Sequence, residues 1–232
     1  MPHIIRKSAL ISFTIHALLL LACSRTGDTS RNASAANTPI ITPKILSNKP
    51  RIVAFGDSLT AGFGLLEKES YPYLLQEKLR AEGLDFEVVN AGVSGDTTLG
   101  GLERIDWVLE MENVKILILE LGANDLMRGV PTAKVKTNLD TIIRKAKAKN
   151  VRVLLCGMLA PPTGGSADYS REFTLVFPDL ATEYRVDFLP FLLEKVALKK
   201  ELNQADGIHP NVDGEKIITD NVYKALKPML TR

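Results

Sequence analysis

Five short apolar runs recur along this chain at a spacing that leaves few folds open. They occupy residues 51–55, 85–90, 115–120, 151–156 and 187–191, and their starts lie 30 to 36 residues apart. That spacing is the length of one strand plus one returning helix. Most of the runs are apolar without clean alternation, which predicts strands covered on both faces, as in a parallel sheet. Helical stripes fall between them. Val135, Leu139, Ile142, Ile143 and Ala146 keep the period of a helix, as do Leu102, Ile105 and Leu109. Phe173, Val176, Phe177, Leu180 and Tyr184 mark another helix, with Pro178 a point for a kink or a restart. Ile218, Val222 and Leu226 mark the last. Repeated β-α alternation predicts a three-layer α/β domain from residue 51 to about 228, with right-handed crossovers placing helices on both faces. Trp107 is expected in the helix core.

The chain ahead of residue 51 has a different character. Arg6 and Lys7 precede an uncharged stretch, residues 9–22, rich in Leu, Ile and Ala. It is shorter than the roughly 20 residues a membrane-spanning helix needs and fits the apolar core of a signal peptide, residues 1–22. Leu20-Leu21-Ala22-Cys23 resembles the lipobox of bacterial lipoproteins. The resemblance implies cleavage before Cys23, acylation of that cysteine, and a periplasmic, membrane-anchored place in the cell envelope. A plain secretory signal that ends near a cysteine is the alternative. Residues 24–50 are dominated by Ser, Thr, Asn and Ala, with prolines at 39, 43 and 50, and hold no persistent period. From Cys23 to residue 50 the chain is expected to be a flexible tether with an r.m.s. reach of about 25–30 Å.

Composition removes several classes of function. Hydrophobic residues at 45% and charged residues at 24% exclude a mostly disordered chain and a multi-span membrane protein. The formal net charge of +2 is accounted for by Arg6 and Lys7, and no Lys/Arg block supports nucleic-acid binding. Cys23 and Cys156 cannot build a disulfide framework or a four-ligand zinc site by themselves. Cys156, inside an apolar run, is expected to be a buried, inert thiol. Gly62-Phe63-Gly64 lacks the third glycine of a dinucleotide fingerprint, and no phosphate-loop motif occurs. No cofactor and no metal are expected.

Ligands of parallel α/β sheets bind at the carboxyl ends of the strands, here near residues 56, 91, 121, 157 and 192. Those loops contain Gly56-Asp57-Ser58-Leu59-Thr60, Ala91-Gly92-Val93-Ser94-Gly95-Asp96-Thr97 and Leu121-Gly122-Ala123-Asn124-Asp125, and Asp206-Gly207-Ile208-His209-Pro210 follows near the end of the chain. Singly, each block has a plain explanation as a turn or a helix cap. Together, in this order, they resemble the SGNH (GDSL) hydrolases, and NAGVSGDT, ELGAND and DGIHPN look like the bacterial thioesterase I/lysophospholipase L1 (arylesterase) subgroup. The resemblance covers residues 51–228, within a hydrolase domain expected over residues 51–232. It implies a three-layer flavodoxin-like α/β fold with a five-stranded parallel sheet.

The implied chemistry is ester hydrolysis on a serine. A serine hydroxyl needs a base to take its proton, and His209 is the only histidine after residue 22. The base needs an acceptor to orient its second nitrogen, and Asp206 lies three residues earlier. The expected triad is therefore Ser58, Asp206 and His209. The resemblance further places oxyanion donors on the Ser58 N–H, the Gly95 N–H and the Asn124 amide, with Gly92 the rival for the glycine. Asp57, Asp96 and Asp125 are expected to hold loops. Residues 126–131 offer apolar cover for an acyl chain. Fatty acyl esters, lysophospholipids and aryl esters are the expected substrates. A carbohydrate acetylesterase on the same fold, and a non-catalytic binding module using Ser94–Thr98 to cradle phosphate, are the alternatives.

Overall fold

The computed structural model describes residues 48–160 and 166–230. The expected signal segment, Cys23 and the tether up to residue 47 lie outside the described residues. In chain order the elements are β1 (Arg51–Gly56), α1 (Ser58–Ala61), α2 (Tyr71–Ala81), β2 (Glu87–Gly92), α3 (Thr98–Leu109), β3 (Val114–Leu119), α4 (Ala123–Met127), α5 (Thr132–Ala148), β4 (Arg152–Cys156), α6 (Ala167–Tyr184), β5 (Asp187–Leu189) and α7 (Val212–Leu226). All five strands pair in parallel in the order β2-β1-β3-β4-β5. Helices α2 and α7 pack together in one layer, and α3, α5 and α6 form a row in the other.

The apolar runs form this sheet because both of its faces are covered. Ile52 to Phe55 in β1 and Leu117 to Leu119 in β3 have no exposed surface. The α5 stripe Val135, Leu139, Ile142, Ile143 and Ala146 is fully buried as well, and each large apolar side chain so buried stabilises the fold by about 1.5–3 kcal/mol. Helix α6 runs unbroken through Pro178. An internal proline costs about 3 kcal/mol. The burial of Phe173, Val176, Phe177 and Leu180 on the same helix outweighs that cost.

Some local details depart from expectation. Trp107 is not core: it is 64% exposed. It stands two residues from Ile105, about 200° around the helix, so it faces away from the buried Ile105 and Leu109. Helix α2 carried no assigned stripe, although Tyr71, Leu75 and Leu79 are buried at four-residue spacing and Pro72 sits in its first turn. Strand β2 starts late because Leu84 to Phe86 form a tight turn, with Phe86 N–H donating to Leu84 O at 3.0 Å. Strand β5 ends before Pro190, which has no N–H to continue the ladder.

Register then sets where chemistry can happen. Gly56 pairs with Gly92, and Phe55 with Leu119. The loops after β1, β2 and β3 therefore leave one edge of the sheet side by side. The chain passes from β1 to β2 on one side and to β3 on the other, so the flanking loops part and leave a crevice at the end of β1.

Candidate active site

Ser58 opens α1 two residues after β1. The Asp57 carboxylate caps that turn by accepting from Leu59 N–H at 3.0 Å, and Asp57 N–H donates to Glu120 Oε2 at 3.2 Å. Thr60 Oγ1 donates to the same Glu120 oxygen at 2.7 Å and lies 3.2 Å from the Tyr71 hydroxyl. Asp57, Thr60, Tyr71 and Glu120 are all fully buried. Burial, aided by nearby Asp57, pushes the Glu120 carboxyl well above the usual carboxylate range. Burial likewise pushes Asp57 up to about 6, against hydrogen bonds from Leu59 and Asn124 that favour its charged form. There is no room for a side chain at position 56, where a Cβ would lie 2.2 Å from Thr60 Oγ1.

His209 arrives from the opposite end of the chain. Its Nε2 lies 2.9 Å from Ser58 Oγ, and its Nδ1 lies 2.7 Å from Asp206 Oδ2. The turn between them is self-contained: His209 N–H and Ile208 N–H both donate to Asp206 Oδ1 at 3.0 Å. These bonds, the one from His209 N–H first, hold the Asp206 carboxyl down at about 2. An ionised carboxylate only accepts, so Nδ1 must carry a hydrogen, and in the neutral ring Nε2 faces the serine as an acceptor. Gln204 pins the loop in place, donating through Nε2 to Phe63 O at 2.7 Å and to Pro210 O at 2.9 Å. The Phe63 ring stands 4.7 Å from the imidazole.

The loops after β2 and β3 complete the crevice. Asn124 Nδ2 donates to Asp96 O at 2.9 Å and to Asp57 Oδ2 at 3.1 Å, which joins three of the sequence blocks through one amide. Both of its hydrogens are engaged by these acceptors. Among the described residues, no hydrogen bond within the protein uses the N–H of Ser58 or of Gly95. Gly95 has a φ of +86°, and a Cβ there would meet only Arg128, at 3.8 Å. Gly92 is the more restricted glycine, since a Cβ on it would lie 2.3 Å from the Ala61 backbone nitrogen. Asp125 accepts from Thr98 N–H and Thr98 Oγ1, each at 2.7 Å, and so ties the β3 loop to the start of α3. Asp96 pairs with Arg104 at 2.6 Å. The three aspartates Asp57, Asp96 and Asp125 thus hold loops, as expected from the sequence.

A cleft of about 790 Å³ opens beside Ser58 and His209 and is mainly apolar, with Leu126, Met127, Met158, Leu159, Tyr169 and Leu193 among its walls. A cleft of this size takes a ligand with a substantial apolar part. Leu126, Met127 and Gly129 of the 126–131 segment lie along it. Cys156 is fully buried, and burial raises its thiol well above the usual range. Among the described residues, no cluster of three His, Cys, Asp or Glu side chains is placed to hold a metal ion, and no helix is long and apolar enough to cross a membrane. Gln204 and Arg104 carry no role in the sequence analysis, and Glu120 enters it only within the run 115–120 and the stretch ELGAND. Glu120 stands at the polar end of the third apolar run, a weak sign that its side chain leaves the ladder.

This arrangement pairs a hydroxyl with an imidazole acceptor, a carboxylate behind the imidazole, and an apolar cleft alongside. The family model described as GDSL-like Lipase/Acylhydrolase matches residues 54–217. The chain is 38% identical over 179 residues to Esterase TesA of Pseudomonas aeruginosa, covering 77% of this chain and 89% of that protein. It is 36% identical over 179 residues to the Thioesterase 1/protease 1/lysophospholipase L1 of Escherichia coli K12, covering 77% of this chain and 84% of that one. Among solved structures, the psychrotrophic esterase EstA from Pseudoalteromonas sp., inhibited by monoethylphosphonate, superposes with a TM-score of 0.75 at 35% identity, over 79% of this chain and 100% of that one. With the four blocks in order on a 2-1-3-4-5 sheet and relatives of this closeness, the chain belongs to the GDSL-like lipase/acylhydrolase family and is an SGNH-type ester hydrolase.

Proposed function

We propose that Ser58 is the nucleophile, His209 the general base and Asp206 its orienting carboxylate in the hydrolysis of carboxylic esters and thioesters with an apolar acyl group. The observation that carries this reading is the row Asp206 Oδ2, His209 Nδ1, His209 Nε2 and Ser58 Oγ, with gaps of 2.7 and 2.9 Å, at the mouth of the apolar cleft. Ser58 Oγ attacks the ester carbonyl while Nε2 takes its proton, and the imidazolium then returns that proton to the leaving alkoxide or thiolate. A water molecule, deprotonated by the same nitrogen, attacks the acyl-enzyme; the acyl–Oγ bond breaks, the acid is released and the imidazolium returns its proton to Ser58 Oγ. The Ser58 and Gly95 amides, which donate to no acceptor among the described residues, and the Asn124 side chain are the donors for the oxyanion. To serve that anion, Asn124 shares a hydrogen now held by Asp57 or by Asp96 O. Fatty acyl esters, lysophospholipids and aryl esters suit the apolar lining of the cleft, and the relatives carry the names esterase, thioesterase/lysophospholipase and arylesterase.

The sequence ahead of the domain supports an envelope location. In this reading Cys23 carries the lipid and the segment after it tethers the enzyme above a membrane, joining the domain at residues 48–50, where Asn48 O accepts from Asn113 Nδ2 at 2.7 Å and Pro50 O accepts from Glu87 N–H at 3.0 Å. Hydrolysis of p-nitrophenyl esters of graded chain length, beside a lysophospholipid, tests the activity on the 24–232 fragment. A rate that rises from acetyl toward longer chains fits the apolar cleft, and a preference for acetyl alone overturns the substrate assignment. Palmitate labelling that depends on Cys23, and a mature N-terminus at residue 23, test the anchor.

A further inference from the structure

Arg104 lies outside the four sequence blocks, yet its guanidinium touches the end of β1, the end of β2 and the loop that follows β2. Nη2 donates to Gly56 O at 2.9 Å, Nη1 donates to Ala91 O at 2.8 Å, and Nε donates to Asp96 Oδ2 at 2.6 Å. Its carbon centre lies 3.9 Å from the centroid of the Phe55 ring, so the cation is seated on the last residues of β1. The Arg104 and Asp96 side chains are only 20% and 17% exposed. Gly100, on the first turn of α3, makes room for the pair, because a Cβ there would lie 2.8 Å from Asp96 Oδ1.

Each of these contacts ends on a segment that carries a proposed oxyanion donor. Gly56 O is two residues before Ser58. Ala91 O lies next to the last residue of β2, just before the loop that leads to Gly95. Asp96 directly follows Gly95, and its carbonyl receives the Asn124 amide. We infer that Arg104 is a positioning residue for the oxyanion site: one planar guanidinium fixes the β1 and β2 loops, and through Asp96 the Asn124 side chain, in a single relative arrangement. The inference rests on the reading of Ser58, Gly95 and Asn124 as the donors. An arginine suits the task because its fixed fork of N–H groups serves three acceptors in set directions, which a lysine ammonium on a flexible stem does not. Arg128, donating to Gly95 O at 2.9 Å, braces the same loop from its outer side.

The test compares Arg104→Gln, Arg104→Lys, Asp96→Asn and the Arg104→Gln/Asp96→Asn double variant, with Ser58→Ala as the control. A misplacement of about 1 Å at a reacting centre costs on the order of 10²-fold. Arg104→Gln is therefore expected to lower kcat by about 10–100-fold with KM within about threefold, because displaced donors fail mainly as charge develops. Inactivation by a phosphonate, which builds the same anionic oxygen, should slow by the same factor as kcat/KM. The shape of the pH–rate profile should stay as in the wild type, since Arg104 does not touch His209 or Asp206. Arg104→Lys should recover only part of the loss. The double variant should be no worse than Arg104→Gln by more than about twofold, because both changes open the same clamp. If Arg104→Gln does not fold, Arg104→Lys and Asp96→Asn carry the comparison. A lower melting temperature with kcat intact, full recovery in Arg104→Lys, or additive losses in the double variant each overturn the inference. An active Ser58→Ala overturns the nucleophile assignment instead, whatever the arginine variants do.

Discussion

The two walls of the crevice are built on different principles. The serine wall is held from below by buried contacts between residues far apart in sequence. Glu120 meets Asp57 and Thr60, and Asn124 meets Asp57, across separations of 60 or more residues. The histidine wall is nearly all local. Asp206 and His209 are three residues apart, and their side chains are 38% and 16% exposed. Buried polar contacts are costly to break because water cannot replace the lost partner, whereas an exposed turn can re-solvate. The serine wall therefore couples catalysis to folding, and the histidine wall can lose its chemistry while the fold stands.

Substitutions on the two walls should separate these behaviours. The largest effect is expected from Ser58→Ala, with a loss of turnover of about 10⁴-fold or more and of fluorophosphonate labelling, checked by ester hydrolysis and by an unchanged circular dichroism spectrum. Asp206→Asn should come next, with kcat down by about 10²–10⁴-fold as the imidazole loses its orienting acceptor. Its stability should stay within about 1 kcal/mol of wild type, because the site is exposed; a large drop in melting temperature would erase the proposed contrast. Asn124→Ala should lower kcat by about 10²–10³-fold with KM within a few-fold. Unlike Asp206→Asn, it should also cost about 1–3 kcal/mol of stability, since Asp57 loses a buried partner. A rise in KM with kcat untouched would make Asn124 a substrate-positioning residue rather than an oxyanion donor.

The smallest effect on turnover is expected where the two walls are joined. Glu215, on α7, is buried and accepts Tyr71 N–H at 2.8 Å, linking the helix that follows the histidine loop to the residue beneath the serine turn. Burial pushes its carboxyl up to about 8 from an ordinary 4.5. Between those values the folded protein keeps a proton that the unfolded chain releases, so this contribution is complete at acid pH and is lost as the pH rises toward 8. Glu215→Gln keeps an acceptor and cannot ionise. Denaturant melts should show the variant gaining on the wild type between about pH 5 and pH 8, by on the order of 1–3 kcal/mol, with turnover near wild type. A pH-independent difference would remove Glu215 from this role.

The alternation of apolar runs and helical stripes was legible because burial on two faces leaves a period in the chain itself. Ser58, Asp206, His209, Gly95 and Asn124 stand out in the sequence because four blocks in order resemble the SGNH hydrolases; read singly, each block is an ordinary turn or cap. Helix α2 was harder to see, since its buried stripe of Tyr71, Leu75 and Leu79 is narrow and set among charged residues. Trp107 misled because hydrophobicity alone does not say which side of a helix a residue occupies.

The sequence by itself determined the fold class, the strand ends where chemistry belongs and the one imidazole available to the domain. It did not contain the pairing of β1 with both β2 and β3, and the rest depends on that pairing. Only after the strands are adjacent does Glu120 come beneath the turn of Asp57, Arg104 reach Gly56 and Ala91, and Gln204 span from the histidine loop to Phe63. Periodicity records whether a side chain faces the interior. Which partner it meets there is decided by contacts between segments distant in the chain, and those leave no local pattern to read.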